Sequence, residues 1–137
     1  MGYADKLKKI KADLQLSAVE FKGKARNVGE LMEQYNLFIT CSLSEGFGIA
    51  PLEAMAAKLP VLVSSIPVFK ELINDVGIFV QTQAYTHSES LSATIENIFS
   101  GKINLADNIE PAFIRAKQIA GPENYGLKLK SIYEKYL

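Results

Sequence analysis

The sequence predicts an α/β fold: a parallel sheet of about four strands flanked by helices, ending in a helical C-terminal segment. Three observations carry this. Short runs that are apolar nearly throughout, NLFITCS, PVLVSS and GIFVQ, are separated by segments of helical period, the pattern of a parallel sheet covered on both faces. After about residue 86 no such run recurs, and three helical segments follow with turn signals at Gly101 and Gly121-Pro122. With 137 residues, 48% of them hydrophobic, the chain can bury one core of ordinary size, so residues 1–137 are read as a single domain.

Element by element, residues 3–15 carry Leu7, Ile10 and Leu14 at helical spacing with lysines between them. AVEFKG at 18–23 has the β-branched and aromatic content of a short strand. Asn27 is suited to cap a helix over 27–35, with Glu30 at its third position, and NLFITCS supplies a strand at 37–41. PLEAMAAK is helical, residues 60–65 a buried strand, PVFKELIND a helix and residues 77–81 a strand. SESLSATIENIFSG, EPAFIRAKQIA and PENYGLKLKSIYEKYL read as the closing helices. The expected sheet has four parallel strands in sequential order, 18–22, 37–41, 60–65 and 77–81, an order compatible with right-handed crossovers. The alternative is that an exposed sheet edge pairs with a second chain, making a homodimer.

Composition removes several function classes. Lys and Arg total 15 against 15 Asp and Glu, so no global positive field gathers nucleic acid or an anionic membrane. The lone Cys41 forms no internal disulfide, which suits a reducing compartment. MGYADKLKKIKADLQL is too polar for a signal peptide, and no apolar run approaches the roughly 18 residues of a membrane span, so a cytoplasmic protein is expected. The single histidine, His87, precedes the helix cap Ser88 with no Cys or second His to complete a metal site, and one His permits no Ser-His-Asp or Cys-His arrangement. Lys22, Lys24 and Arg26 read as a solvated loop, and Tyr125, Tyr133 and Tyr136 as packing on the last helix.

The stretch with chemistry in it is SLSEGFGIAPLEAMA at 42–56. In an open parallel sheet, ligands bind outside the carboxyl ends of strands, where loops feed helix N-termini, and this stretch occupies such a place. Pro51 suits the first helical position, which puts Glu53 in the first turn. Gly46 and Gly48 would let a ligand approach backbone N–H groups at the positive end of the helix dipole, an arrangement that favours phosphate. Glu45 and Glu53 would repel a bare phosphate. As acceptor-only groups their natural partners are hydroxyls, so the pattern suits a ligand with both, a sugar nucleotide. Taken singly, Glu53 and the glycines are more often structural, serving helix capping and turn formation.

Taken together, SLSEGFGIAPLEAMA, PVLVSS, FKELI and GIFV resemble the C-terminal donor-binding domain of the retaining GT-B glycosyltransferases, in particular family 4. Glu45 and Glu53 stand in that family's E-x7-E spacing. The resemblance implies a Rossmann-like domain in which Glu45 lies beside the donor sugar as the catalytic carboxylate. Glu53 would accept hydrogen bonds from the ribose hydroxyls, and the backbone of Phe47, Gly48 and Ile49 would face the sugar and diphosphate. Gly46 and Ser42 complete the implied donor site, and residues 23–27 would lie near the nucleobase. The donor would be a UDP-, GDP- or ADP-sugar, with no further cofactor and no catalytic metal. Transfer would proceed by front-face attack on to a glycan or lipid acceptor, with the leaving diphosphate helping to deprotonate it.

Three departures stand out. Cys41 occupies a position where the family commonly has Pro, and Lys58 one where Gly commonly ends the motif helix, which suggests a different cap there. Complete enzymes also carry an acceptor domain and two further strands bearing a diphosphate-neutralising Arg and Lys. Met1-Gly2 resembles the exit from the second of those strands, so the chain reads as a fragment or truncated relative, inactive alone. A non-catalytic nucleotide-binding or interaction module derived from such an enzyme is the other reading. A phosphate-accepting receiver domain would need acidic residues where AVEFKGK offers lysines.

Overall fold

The structure is a computed structural model that describes residues 2–81 and 87–136. Its centre is a parallel sheet of three strands, β1 (Phe38–Thr40), β2 (Val61–Ser64) and β3 (Ile78–Val80), in the order β1-β2-β3. Phe38 aligns with Val61, and Leu62 with Ile78. β2 is buried along its whole length, as its run of Val-Leu-Val requires of a central strand. The connections between sequential strands bring α3 (Ile49–Ala56) and α4 (Pro67–Ile73) into one core. There Val61 and Val63 meet Leu52, Met55, Phe69, Leu72 and Ile73 in the core. Leu62, fully buried but outside that cluster, faces the opposite way by strand alternation.

The sequential order of the three central strands is as expected; the fourth strand is not formed. Residues 18–22 have no strand conformation in this chain, and all five are exposed. The five residues alternate in character. Val19 and Phe21 would occupy one face of a strand, and Glu20 and Lys22, which form an ion pair with each other, the other.

Helix ends also differ from expectation. Gly48 takes a left-handed conformation (φ 86°, ψ 49°) as N-cap, so α3 begins at Ile49 and Pro51 is its third residue. Glu53 is therefore fifth, beyond the first turn. At the other end Lys58 is itself left-handed (φ 57°). Its N–H donates to the Met55 carbonyl at 3.1 Å and that of Leu59 to Ala54 at 2.9 Å, the paired bonds of a Schellman motif. Lysine thus adopts the cap that glycine would favour, rather than replacing it with another. Its ammonium is held 2.9 Å from Glu110 and 4.5 Å from the Phe113 ring centre.

α6 (Ala106–Ala120) starts before the expected segment and carries Pro111 inside it; its small residues Ala112 and Ala116 are buried in the core shared with α3. Arg115 fastens α6 to the end of α4, donating from Nε to the Leu72 carbonyl (3.1 Å) and from Nη2 to that of Glu71 (2.8 Å). These are carbonyls that a helix C-terminus leaves without internal partners. α2 (Val28–Met32) is capped as expected, the Asn27 side chain accepting from the Glu30 N–H at 3.5 Å. α5 (His87–Phe99) lies against β3 and α7 (Pro122–Tyr136) against α6. Tyr133, expected to pack, is 65% exposed. The side chains of His87, Tyr125 and Tyr136 lie outside the described residues. α1 (Tyr3–Asp13) forms where the periodicity puts it but buries no residue. None of the described helices is long and apolar enough to cross a membrane.

Candidate functional site

β1 ends at Thr40, and residues 41–48 turn from the sheet edge into α3. This loop is held from below by Ser64, a fully buried hydroxyl at the end of β2 that donates to the Ser42 carbonyl at 2.5 Å. With its backbone anchored, Ser42 donates from Oγ to Glu45 Oε1 at 2.7 Å. That bond uses the only Ser42 hydroxyl proton, so in the 3.2 Å contact between Thr40 Oγ1 and Ser42 Oγ the threonine is the donor. Thr40, Ser42 and Glu45 thus form a directed relay ending on a carboxylate. Glu45 has no ion-pair partner among the described residues, and its second oxygen has no protein donor there.

The relay borders a cleft of about 230 Å³ lined by Thr40, Glu45, Phe47, Gly48, Ile49, Ala50 and Pro51. The first N–H groups of α3, those of Ile49 and Ala50, have no acceptor within the helix, and Pro51 has no N–H to offer. A ligand here meets one carboxylate, two unpaired N–H groups and the exposed Phe47 ring. No Lys or Arg is among the described residues lining it.

The two glycines have different reasons. A Cβ on Gly46 would meet nothing within 4 Å, so the protein itself makes no demand for glycine there. A Cβ on Gly48 would lie 2.9 Å from Phe69 Cε1 and 3.1 Å from Leu72 Cδ2, and its φ is left-handed. Gly48 is buried, and the space a side chain would take is filled by the core, while Gly48 itself lines the cleft.

Glu53 is exposed and does not line the cleft. It shares a helix face with Ile49, four residues earlier, so it stands one turn from the mouth. Residues 23–27 contribute no lining residue either. Lys24 and Arg26 are exposed, and Lys22 is taken up by Glu20, whose carboxyl it holds below the usual range. Desolvation pushes the Cys41 thiol up, which keeps it protonated at neutral pH and unsuited to act as a nucleophile, although the residue is exposed. Sequence reasoning missed Thr40 and Ser64. A serine ending an otherwise apolar strand was the available signal for the second.

A sequence profile of the family described as "Glycosyl transferases group 1" matches residues 1–113. The chain belongs to this family. Among group 1 glycosyltransferases and their relatives, it is similar to the O-antigen chain mannosyltransferase RfbU of Salmonella typhimurium, with 36% identity over 100 residues. That match covers 70% of this chain and 27% of that protein. It is also similar to the GDP-mannose:cellobiosyl-diphosphopolyprenol alpha-mannosyltransferase of Xanthomonas oryzae pv. oryzae, 47% identical over 47 residues, 34% of this chain and 12% of the relative. Among solved structures, the pneumococcal O-GlcNAc transferase GtfA, crystallised with UDP and GlcNAc, matches with a TM-score of 0.80 at 20% identity. The match covers 97% of this chain and 28% of that one, and it shows the Rossmann-like GT-B fold. The chain thus spans about a quarter of the length of the mannosyltransferase RfbU.

Proposed function

We propose that this glycosyltransferase domain binds a nucleotide-diphosphate sugar at residues 42–49 and serves as the donor-binding part of a retaining transferase. The observation that carries the reading is the oriented Glu45 carboxylate, its one oxygen held by Ser42 and the other open to a cleft that also presents the N–H groups of α3. The carboxylate accepts from sugar hydroxyls, and the helix end binds phosphate oxygens. Glu53, a turn away, accepts from the ribose of a nucleotide that extends along the exposed face of α3. Names among the relatives, with GDP-mannose and UDP in them, support a sugar nucleotide. The acceptor is a glycan or lipid.

A second reading, a nucleotide-binding module without turnover, is favoured by one specific observation. Among the described residues of the cleft no cation stands ready to neutralise a diphosphate leaving group. The 137-residue chain alone is accordingly expected to bind donor weakly and to transfer nothing.

Isothermal titration with UDP, GDP and their sugars tests both. Glu53→Ala should weaken nucleotide binding by about 1.5–3 kcal/mol, the range for hydrogen bonds to a charged group, while leaving the melting curve unchanged. Affinity untouched by either Glu45→Ala or Glu53→Ala would overturn the site. Sugar transfer by the purified chain, lost in Glu45→Ala, would overturn the expectation of inactivity.

A further inference from the structure

We propose that Thr40 and Ser64 are positioning residues whose hydroxyls let the site tell a sugar nucleotide from the bare nucleotide. The selectivity rests on the donor reading above; the hold on the Glu45 carboxylate does not.

Glu45 sits on a stretch that the backbone does not fix. Among the described residues, 42–47 make no backbone–backbone hydrogen bond, and positions 43–47 are all exposed. A glutamate on such a stretch ordinarily samples several rotamers, and a ligand that fixes one of them does so at an entropic cost. Here side chains replace the missing backbone bonds. Ser64, fully buried at the end of β2, donates to the Ser42 carbonyl at 2.5 Å and lies 3.5 Å from that of Thr40. Ser42 Oγ in turn stands 2.7 Å from Glu45 Oε1 and 3.2 Å from Thr40 Oγ1. A serine hydroxyl has one proton, so a Thr40 that accepted it would take the donor away from Glu45. As a donor itself, Thr40 directs that proton to the carboxylate. Without the Ser64 hydroxyl the stretch loses its tie to the sheet, and without that of Thr40 the Ser42 side chain loses the partner that orients it.

The nucleotide end of the site is built differently. The N–H groups of Ile49 and Ala50 and the Glu53 carboxylate belong to α3, which the core holds through Pro51, Leu52, Ala54 and Met55. Contacts to them are independent of the hydroxyl chain. Its loss is therefore felt by the sugar, which meets Glu45, and not by the diphosphate or the ribose.

The test combines two measurements on the full 137-residue chain. In the ligand-free protein, three-bond NMR couplings of Glu45 should report one χ1 rotamer in the wild type and averaging in Ser64→Ala and Thr40→Val. Thr40→Ser, which keeps the hydroxyl, should restore the single rotamer. Titration calorimetry then compares GDP with GDP-mannose and UDP with UDP-N-acetylglucosamine. For the pair that binds, Ser64→Ala and Thr40→Val should lower the affinity for the sugar nucleotide about fivefold, the worth of one hydrogen bond, and that for the bare nucleotide by less than about twofold. Thr40→Ser should bind both as the wild type does. Equal losses for both ligands would mean a merely structural role and overturn the proposal, as would unchanged affinities. Averaged couplings in the wild type, or couplings that neither variant alters, would overturn the positioning itself. Failure of the wild type to bind either nucleotide would sink the donor reading and the selectivity with it, while the couplings still decide whether the hydroxyls hold Glu45. Thr40→Val, nearly isosteric, carries both measurements if Ser64→Ala does not fold.

Discussion

α1 and α3 end in the same way and have opposite fates. Each closes with the paired bonds of a Schellman motif, and each does so with a residue other than glycine in the left-handed position, Gln15 (φ 52°) and Lys58 (φ 57°). α1 is the longer helix, 11 residues against 8, and its Gly2 N–H is capped by the Asp5 carboxylate at 3.0 Å. Yet α1 buries nothing, with Ile10 and Leu14 exposed to 50% and 63%, whereas α3 buries Pro51, Leu52, Ala54 and Met55. The difference generalises: residues 2–27 contain no buried side chain, and every residue of the core lies between Met32 and Ala116. Local signals decide where a helix starts and stops. What it packs against decides what holds it, because most helical stability in proteins comes from an amphipathic face that finds a partner.

The largest expected effect separates the two regions outright. Phe69 is fully buried among residues of α3, α4 and β2, so Phe69→Ala should cost about 3–5 kcal/mol in urea denaturation. Leu7→Ala should stay within about 0.5 kcal/mol, as an exposed substitution does. Comparable losses at the two positions would mean that α1 is packed in solution, and the contrast would fail.

Next in size is the pair of glycines beside the cleft. Gly48→Ala forces a side chain into a left-handed backbone and against Phe69, and should cost about 2 kcal/mol or more. Gly46→Ala should cost under about 0.5 kcal/mol, since its Cβ enters open space. Equal costs would show that the turn, not the core, is what demands glycine.

The smallest effect concerns the shared cap. Lys58→Gly relieves a left-handed strain of about 1–2 kcal/mol but loses an exposed ion pair and a ring contact of about 1 kcal/mol or less each. Lys58→Ala loses the same contacts and keeps the strain. Glycine should therefore be the more stable variant by about 1 kcal/mol, measured as a difference in thermal unfolding. Alanine equal to glycine would show that the left-handed cap is not populated.

Much of this was legible in the residues. The three central strands, the helices between them and the loop that carries Glu45 follow from apolar runs and punctuation, while the strand order rests on the family resemblance. What failed has a common physical cause. AVEFKG has strand composition, but a strand also requires a neighbour to pair with, which composition alone does not supply. Pro51 was placed at the helix start because proline favours it, whereas Gly48 could set the start earlier by adopting a conformation that only the fold reveals. The core's own demand for glycine at 48 is not visible in the sequence, because Phe69 is 21 positions away. The hydroxyl of Ser64 meets the loop through the sheet rather than along the chain. In each case the deciding partner is distant in sequence.

The double constraint on Gly48 also shapes how this loop can evolve. Backbone handedness and the packing of Phe69 and Leu72 each penalise a side chain there, and a compensating change at position 69 relieves only part of the second penalty. Single-step mutational paths that rebuild the turn are therefore costly. Positions 43–47 are all exposed and free of any such double lock, and Glu45 and Phe47 among them line the cleft. A lineage carrying this architecture inherits a frozen hinge with a variable tip, so that ligand preference can drift by one residue at a time while the scaffold beneath it stands still.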